Sequence, residues 1–214
     1  MTPVPLDAFL PDVLPFAANC PEPLALRAVL SACTDLCRDT QVLQQAIDPV
    51  DLVADQGTYA LTAPAGLVPS QLVSLYYLGR RLRSVSPLTL EQRNSFDWRA
   101  QRGDAAAFTQ LDVESFTLVP APAVSRTGAV TGVLAVMPSR TADTVDGVLL
   151  EHHAEVVAAG ALARILATPE QPYTNPAMAQ AFEQRFRAGS SRLRAHVAAG
   201  INDAPLQVQL RRIF

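Results

Sequence analysis

The chain has 214 residues and carries 17 basic against 20 acidic side chains, a formal net charge of −3. Apolar residues make up 49% and charged residues 17%, below the roughly 25% charged usual for globular domains, which excludes a disordered polyelectrolyte and disfavours a free-standing duplex reader. At about 150 residues per domain the length fits one large domain or two small ones, and so sparse a charged surface fits one that a partner covers.

Met1 to Asp7 has no basic stretch and no apolar core, so it does not read as a signal peptide, and no apolar run approaches the roughly 18 residues that span a bilayer. Phe9 to Phe16 is Pro-rich and apolar, a short turn or one-turn helix. Cys20-Pro21-Glu22-Pro23 opens a helix, because prolines are tolerated in a first turn. Leu26, Leu30, Cys33 and Cys37 continue it at helical spacing to about Arg38 or Thr40. Val42 to Ile47, Val50 to Val53 and Thr58 to Thr62 are strand-like runs, separated by Asp48-Pro49 and Asp55-Gln56-Gly57. Gln71 to Tyr77 is another, with Arg80 to Arg83 returning through Gly79 as a hairpin. Pro87 to Arg93 reads as a short helix, followed by Phe96 and Trp98 as anchors. Ala107 to Gln110, Ser115 to Val119 and Thr131 to Met137 complete a β module of six or seven strands, with Gly128 to Gly132 as a hairpin turn.

Thr144 to Ala167 is free of proline, and its small apolar centre, Val156 to Ala163, fits a helix buried on more than one side. Asn175-Pro176 caps the last helix, whose stripe of Met178, Phe182, Phe186, Gly189, Leu193 and Val197 stops at Gly200. Ile201 to Phe214 is strand-like, alternating at Leu206, Val208 and Leu210 before Arg211-Arg212-Ile213-Phe214. The predicted fold class is α+β: a helical bundle, made of the N-terminal helix and a C-terminal helical hairpin, with an inserted small antiparallel β module and an extended C-terminal tail. One domain spans 1–200, with a helical body at 1–40 and 143–200 and a β insertion at 41–142; the tail is 201–214. Leu26, Leu30, Phe182, Phe186 and Leu193 are the expected helix-packing residues.

All 17 basic residues are arginine. A GC-rich genome gives that composition, and so does a need for bidentate pairing at interfaces; in either case Schiff-base and Walker-type lysine chemistry is absent. Residues 1–63 hold two arginines against eight acids, net −6; residues 64–175 are net −1 and residues 176–214 net +4. Such asymmetry suits subunit-to-subunit contacts or is a drift in the sign of solvated helix faces.

Candidate chemistry is thin. Glu151-His152-His153-Ala154-Glu155 places His152 and Glu155 on one helix face, but it is neither HExxH nor the Glu-x-x-His of di-iron bundles. Cys20, Cys33 and Cys37 do not follow a zinc spacing; Cys33 and Cys37, on one helix face with Leu26 and Leu30, read as small core residues, and the compartment as a reducing one. Ala188-Gly189-Ser190-Ser191 lies within a helix and not at a nucleophile elbow. Asp112 with Glu114, and Asp143 with Asp146, sit in turn contexts. No catalytic residue, cofactor or metal ligand set is predicted.

Several segments in succession carry a resemblance: Val4 to Pro11, Cys20 to Ala28, Ile47 to Ala54, Gly57 to Leu61, Leu118 to Pro122, Met137 to Ala142, Ala158 to Leu166, Asn175-Pro176 and Phe182 to Arg194. Together they resemble the head-to-tail adaptor, or connector, proteins of tailed bacteriophages, the podovirus type in particular. The resemblance covers most of residues 4–197, and the tail after Gly200 reads as particular to this chain. It implies a structural virion protein of the neck, present in the host cytoplasm during assembly, with no enzymatic activity and no membrane. It further implies a homo-oligomeric ring, usually of twelve copies, beneath the portal protein and joined to a tail nozzle or tube protein. Genomic double-stranded DNA passes through the lumen without sequence-specific binding. On that basis Leu206, Val208, Leu210, Arg211, Arg212, Ile213 and Phe214 are the expected portal-docking residues. The alternatives are a neck or tail-completion protein without portal contact and a small phage DNA-processing enzyme.

Overall fold

The computed structural model describes residues 2–93 and 98–200. The elements in chain order begin with β1 (Pro3–Pro5), α1 (Leu10–Val13), α2 (Glu22–Thr40), β2 (Gln44–Leu52), β3 (Thr58–Ala60), β4 (Leu67–Tyr77), β5 (Arg80–Arg81) and β6 (Arg83–Ser84). They continue with α3 (Pro87–Arg93), β7 (Arg102–Gly103), β8 (Ala107–Thr109), β9 (Ser115–Val119) and β10 (Ala121–Pro122). The last are β11 (Arg126–Pro138), β12 (Thr144–Asp146), α4 (Gly147–Leu166) and α5 (Pro176–Ala199). They fall into two units, one holding the chain up to Val42 and again from Arg140, the other Leu43–Ser139.

In the first unit α4 packs against α2 and α5. Pro23 lies in the first turn of α2, and Gln41, at φ 56°, ends the helix in the left-handed region. Asp146 caps α4 by accepting the Val148 N–H at 2.9 Å, and Asn175 caps α5 by accepting the Met178 N–H at 3.1 Å. Each cap is worth about 1 kcal/mol. Two glycines let the helices interlock. A Cβ on Gly160 would lie 2.7 Å from the Phe186 ring and 3.0 Å from Ala32 Cβ; one on Gly189 would lie 2.7 Å from Val156. Thus α4 receives the Phe186 ring of α5, and α5 receives Val156 of α4. The chain start joins this unit as a strand, with Pro3 to Pro5 pairing antiparallel with Asp146 to Thr144. That pairing holds Thr144 to Asp146 extended, so α4 begins later than the sequence pattern indicates.

The second unit contains two four-stranded sheets, ordered β2-β11-β4-β5 and β3-β9-β8-β6, and a parallel pair of β7 with β10. β11 is central to the first sheet and crosses β4 so closely that a Cβ on Gly132 would meet the Ser74 carbonyl oxygen at 2.5 Å. Leu75, Val130, Leu134, Phe116 and Leu118 are buried in this unit. Tyr59 stacks on Phe116 at 5.7 Å and donates its hydroxyl to the Gln56 carbonyl at 2.7 Å. A smaller cluster of Leu90, Trp98, Ala107 and Val119 anchors α3.

The expected helical bundle with a small antiparallel β module is corrected by this architecture. The fold is mixed, with 41% helix, 30% strand in several sheets and, among the described residues, five helices. Strands run through residues that read as punctuation. Asp48-Pro49 lies inside β2, which borders its sheet, where a proline costs no ladder bond on its open side. Gly128, at φ 60°, and Gly132 lie inside β11, which absorbs them through register shifts and so contains no hairpin turn there. Two short strands pair in parallel, β6 with β8 and β7 with β10, and β1 with β12 adds strand to the helical unit.

The interlock has a measurable consequence. Gly160→Val forces the Phe186 ring or the backbone of α2 to move, lowering unfolding free energy by about 1–3 kcal/mol. The expected reading is a melting temperature lower by about 2–4 °C for each kcal/mol; an unchanged melting temperature contradicts the close crossing.

Candidate functional site

Three features of the described surface stand out, two in the helical unit and one in the β unit. The first is an open groove of about 770 Å³ between the N-terminal turn, α4 and α5. Ala159, Leu162 and Phe182 give it an apolar floor, with Asp12 and Arg185 on its walls. Phe16, 53% exposed, meets the Phe182 ring edge-on at 5.7 Å, and the Arg185 guanidinium lies 5.3 Å from that ring on α5.

The second is a guanidinium network on α2. Asp35 is bonded by Arg38 at 2.8 Å and by Arg164 of α4. Arg164 also donates to the Gly160 carbonyl at 2.7 Å. Arg27, Arg38 and Arg140 line a pocket of about 280 Å³ beside this network. At the C-terminal end of α2, Arg194 donates to the Asp39 carbonyl at 2.6 Å and ties α5 to α2.

The third is the turn between β4 and β5. Leu78 adopts φ 48° and Gly79 φ 78°, and Leu78 is 58% exposed. The left-handed region costs an L-residue about 1–2 kcal/mol, and exposure adds no apolar burial to offset it. With both central residues at positive φ, Leu78-Gly79 is a two-residue type I′ turn joining β4 to β5, and the Leu78 N–H donates to the Ala129 carbonyl at 2.9 Å. Leu111 and Val113 expose further apolar surface between β8 and β9.

The candidates read from sequence take structural places. Cys33 and Cys37 are buried in α2; burial pushes the Cys33 thiol up to about 12 and raises Cys37 as well. Cys20 is also buried and raised. All three are free thiols with little nucleophilic thiolate. Asp112 closes a turn by accepting the Glu114 N–H at 2.8 Å and the Ser115 hydroxyl at 2.7 Å, and the Ser115 bond holds its carboxyl below the usual range. Asp146 is the α4 cap. Ser190 and Gly189 lie buried within α5. Among the described residues no group of three His, Cys, Asp or Glu is arranged to hold a metal, and no helix is long and apolar enough to cross a membrane.

Of the helix-packing residues, Leu30, Phe182, Phe186 and Leu193 are buried and Leu26 is half-buried. Leu206, Val208, Leu210, Arg211, Arg212, Ile213 and Phe214 lie outside the described residues. Sequence reasoning missed the arginine pocket and Leu78. The first had a signal in the two arginines of an otherwise acidic N-terminal third, the second in a leucine preceding a turn glycine.

The chain matches the family described as SU10 adaptor protein over residues 9–209. It belongs to that family. Among curated proteins none matches. The resemblance to phage head-to-tail adaptors agrees with this membership, which makes the chain a structural phage adaptor and indicates a neck location in the virion. The match corrects one expectation. It reaches residue 209, so the tail to that point is shared with the family and is not particular to this adaptor.

His153, half-buried on α4, has its pKa lowered by burial first and then by His152 and His196. The unfolded chain therefore takes up this proton at higher pH than the folded adaptor does, and stability falls as pH drops below about 6.5. Thermal melts at pH 7.5 and 5.5 should show that fall in the wild type and a smaller one in His153→Gln. Equal falls contradict the assignment.

Proposed function

We propose that this adaptor forms a ring, of twelve copies, beneath the portal and joins it to the tail nozzle or tube, with DNA passing through the lumen. Membership of the SU10 adaptor family across residues 9–209 is the observation that carries this reading. The surface supports it. The helical unit presents an apolar groove with charged walls, and the β unit presents an exposed leucine at the β4–β5 turn. Two dissimilar surfaces on one chain suit heterologous contacts, which close into a ring when the rotation between copies closes. In this reading α4 and α5 build the ring body and the β unit meets the tail protein.

The tail makes the portal contact. Leu206, Val208 and Leu210 alternate as an added strand requires, while Ile213 and Phe214 supply apolar anchors and Arg211 and Arg212 pair with portal acids. No catalytic step is part of this function.

Negative-stain images of the purified adaptor mixed with portal should show twelvefold rings on the portal. Deleting residues 205–214 should abolish portal binding, with the melting temperature recorded alongside to separate lost docking from lost folding. Undiminished binding by the truncated chain overturns tail docking. Rings that attach to tail protein and never to portal favour a tail-completion role.

A further inference from the structure

The first 63 residues hold eight carboxylates and only two arginines, Arg27 and Arg38. Both line one pocket on α2, where Arg140 joins them. Asp35, the carboxylate in that lining, is already held by Arg38 and Arg164. Arg27 and Arg140 are exposed and form no ion pair among the described residues. Three arginines thus share one pocket lining with a single carboxylate, Asp35, and that excess of positive charge favours an anion from outside the chain. The Ser31 and Thr34 hydroxyls donate to the Arg27 and Leu30 carbonyls, which leaves the guanidinium groups as the donors toward a ligand.

Two properties define that ligand. Arg27 and Arg38 are separated by about 16 Å of helix rise, so an anion engaging both carries several charges in a row. Leu30 is the apolar member of a lining otherwise polar, so the pocket offers little for stacked bases or apolar side chains. An acidic protein segment draws on apolar anchors beside its charges, whereas a duplex backbone is recognised through phosphate charge alone. We propose that Arg27, Arg38 and Arg140 form a sequence-independent contact site for the phosphate backbone of double-stranded DNA. Guanidinium forks match phosphate oxygens bidentately, and the chain's net charge of −3 keeps the contact weak enough for DNA to slide. The proposal rests on the adaptor reading, in which DNA passes through the ring, and names the residues that meet it.

The test is fluorescence anisotropy of a labelled 30-base-pair duplex, with wild type, Arg27→Gln/Arg140→Gln and, as a control, Arg187→Gln. The first variant removes two guanidinium groups without orphaning a carboxylate. Arg187 lies on α5, paired only with Glu183. Affinity at low salt should fall at least tenfold in the double variant and stay unchanged in the control. The slope of log affinity against log salt should drop from about −2.7 to about −0.9, reflecting the loss of two phosphate contacts. Equal binding by wild type and double variant, or no binding by wild type, overturns the proposal. So does displacement of the duplex by a polyglutamate peptide of equal charge at lower concentration, which assigns the pocket to an acidic protein. Portal rings are imaged in parallel. Rings that persist in the double variant while DNA affinity is lost support the site. Rings lost with an unchanged melting temperature make the pocket an assembly contact, overturning the DNA assignment and leaving the adaptor reading intact.

Discussion

The close approach of three helices at Gly160 governs the helical unit. The absence of a side chain there admits the Phe186 ring from α5 and Ala32 from α2. The carbonyl of the same residue accepts a bond from Arg164, whose other nitrogen reaches Asp35 on α2. Phe186, 6.0 Å from the Arg164 guanidinium, forms a wall of the same junction. Steric fit and charge pairing thus meet at one point, and Gly189 with Val156 repeats the steric half of the arrangement further along α5.

Asp35 links that junction to the arginine pocket on α2. Arg164 and Arg38 occupy this carboxylate, and Arg27 and Arg140 form no ion pair among the described residues. A network that stabilises the helix packing therefore also sets the charge of the neighbouring pocket. Loss of Asp35 would remove both ion pairs and leave Arg164 held by its bond to the Gly160 carbonyl.

The β unit solves a different problem. Its long strands cross at Gly132, where only a residue without a Cβ lets β11 lie against the Ser74 carbonyl. β2, which borders that sheet, places Asp48, Pro49 and Asp51 along its length. Charge and proline on a border strand oppose indiscriminate pairing between copies.

Helices were legible because their signals are local. Pro23, Asn175-Pro176 and Gly200 mark boundaries through backbone chemistry, and the spacing of Phe182, Phe186, Gly189 and Leu193 defines a buried face without reference to the rest of the chain. The succession of segments likewise determined the adaptor family. Strand boundaries were less legible, because whether Pro49 or Gly128 interrupts a strand depends on its neighbours: a sheet border tolerates the first and a bulge absorbs the second. Parallel pairing of short strands, the gathering of Arg27, Arg38 and Arg140, and the choice of Gly160 and Gly189 as crossing points were decided only in the tertiary structure. Each joins residues far apart in the chain, and their energies arise from steric fit and charge proximity that no local pattern encodes.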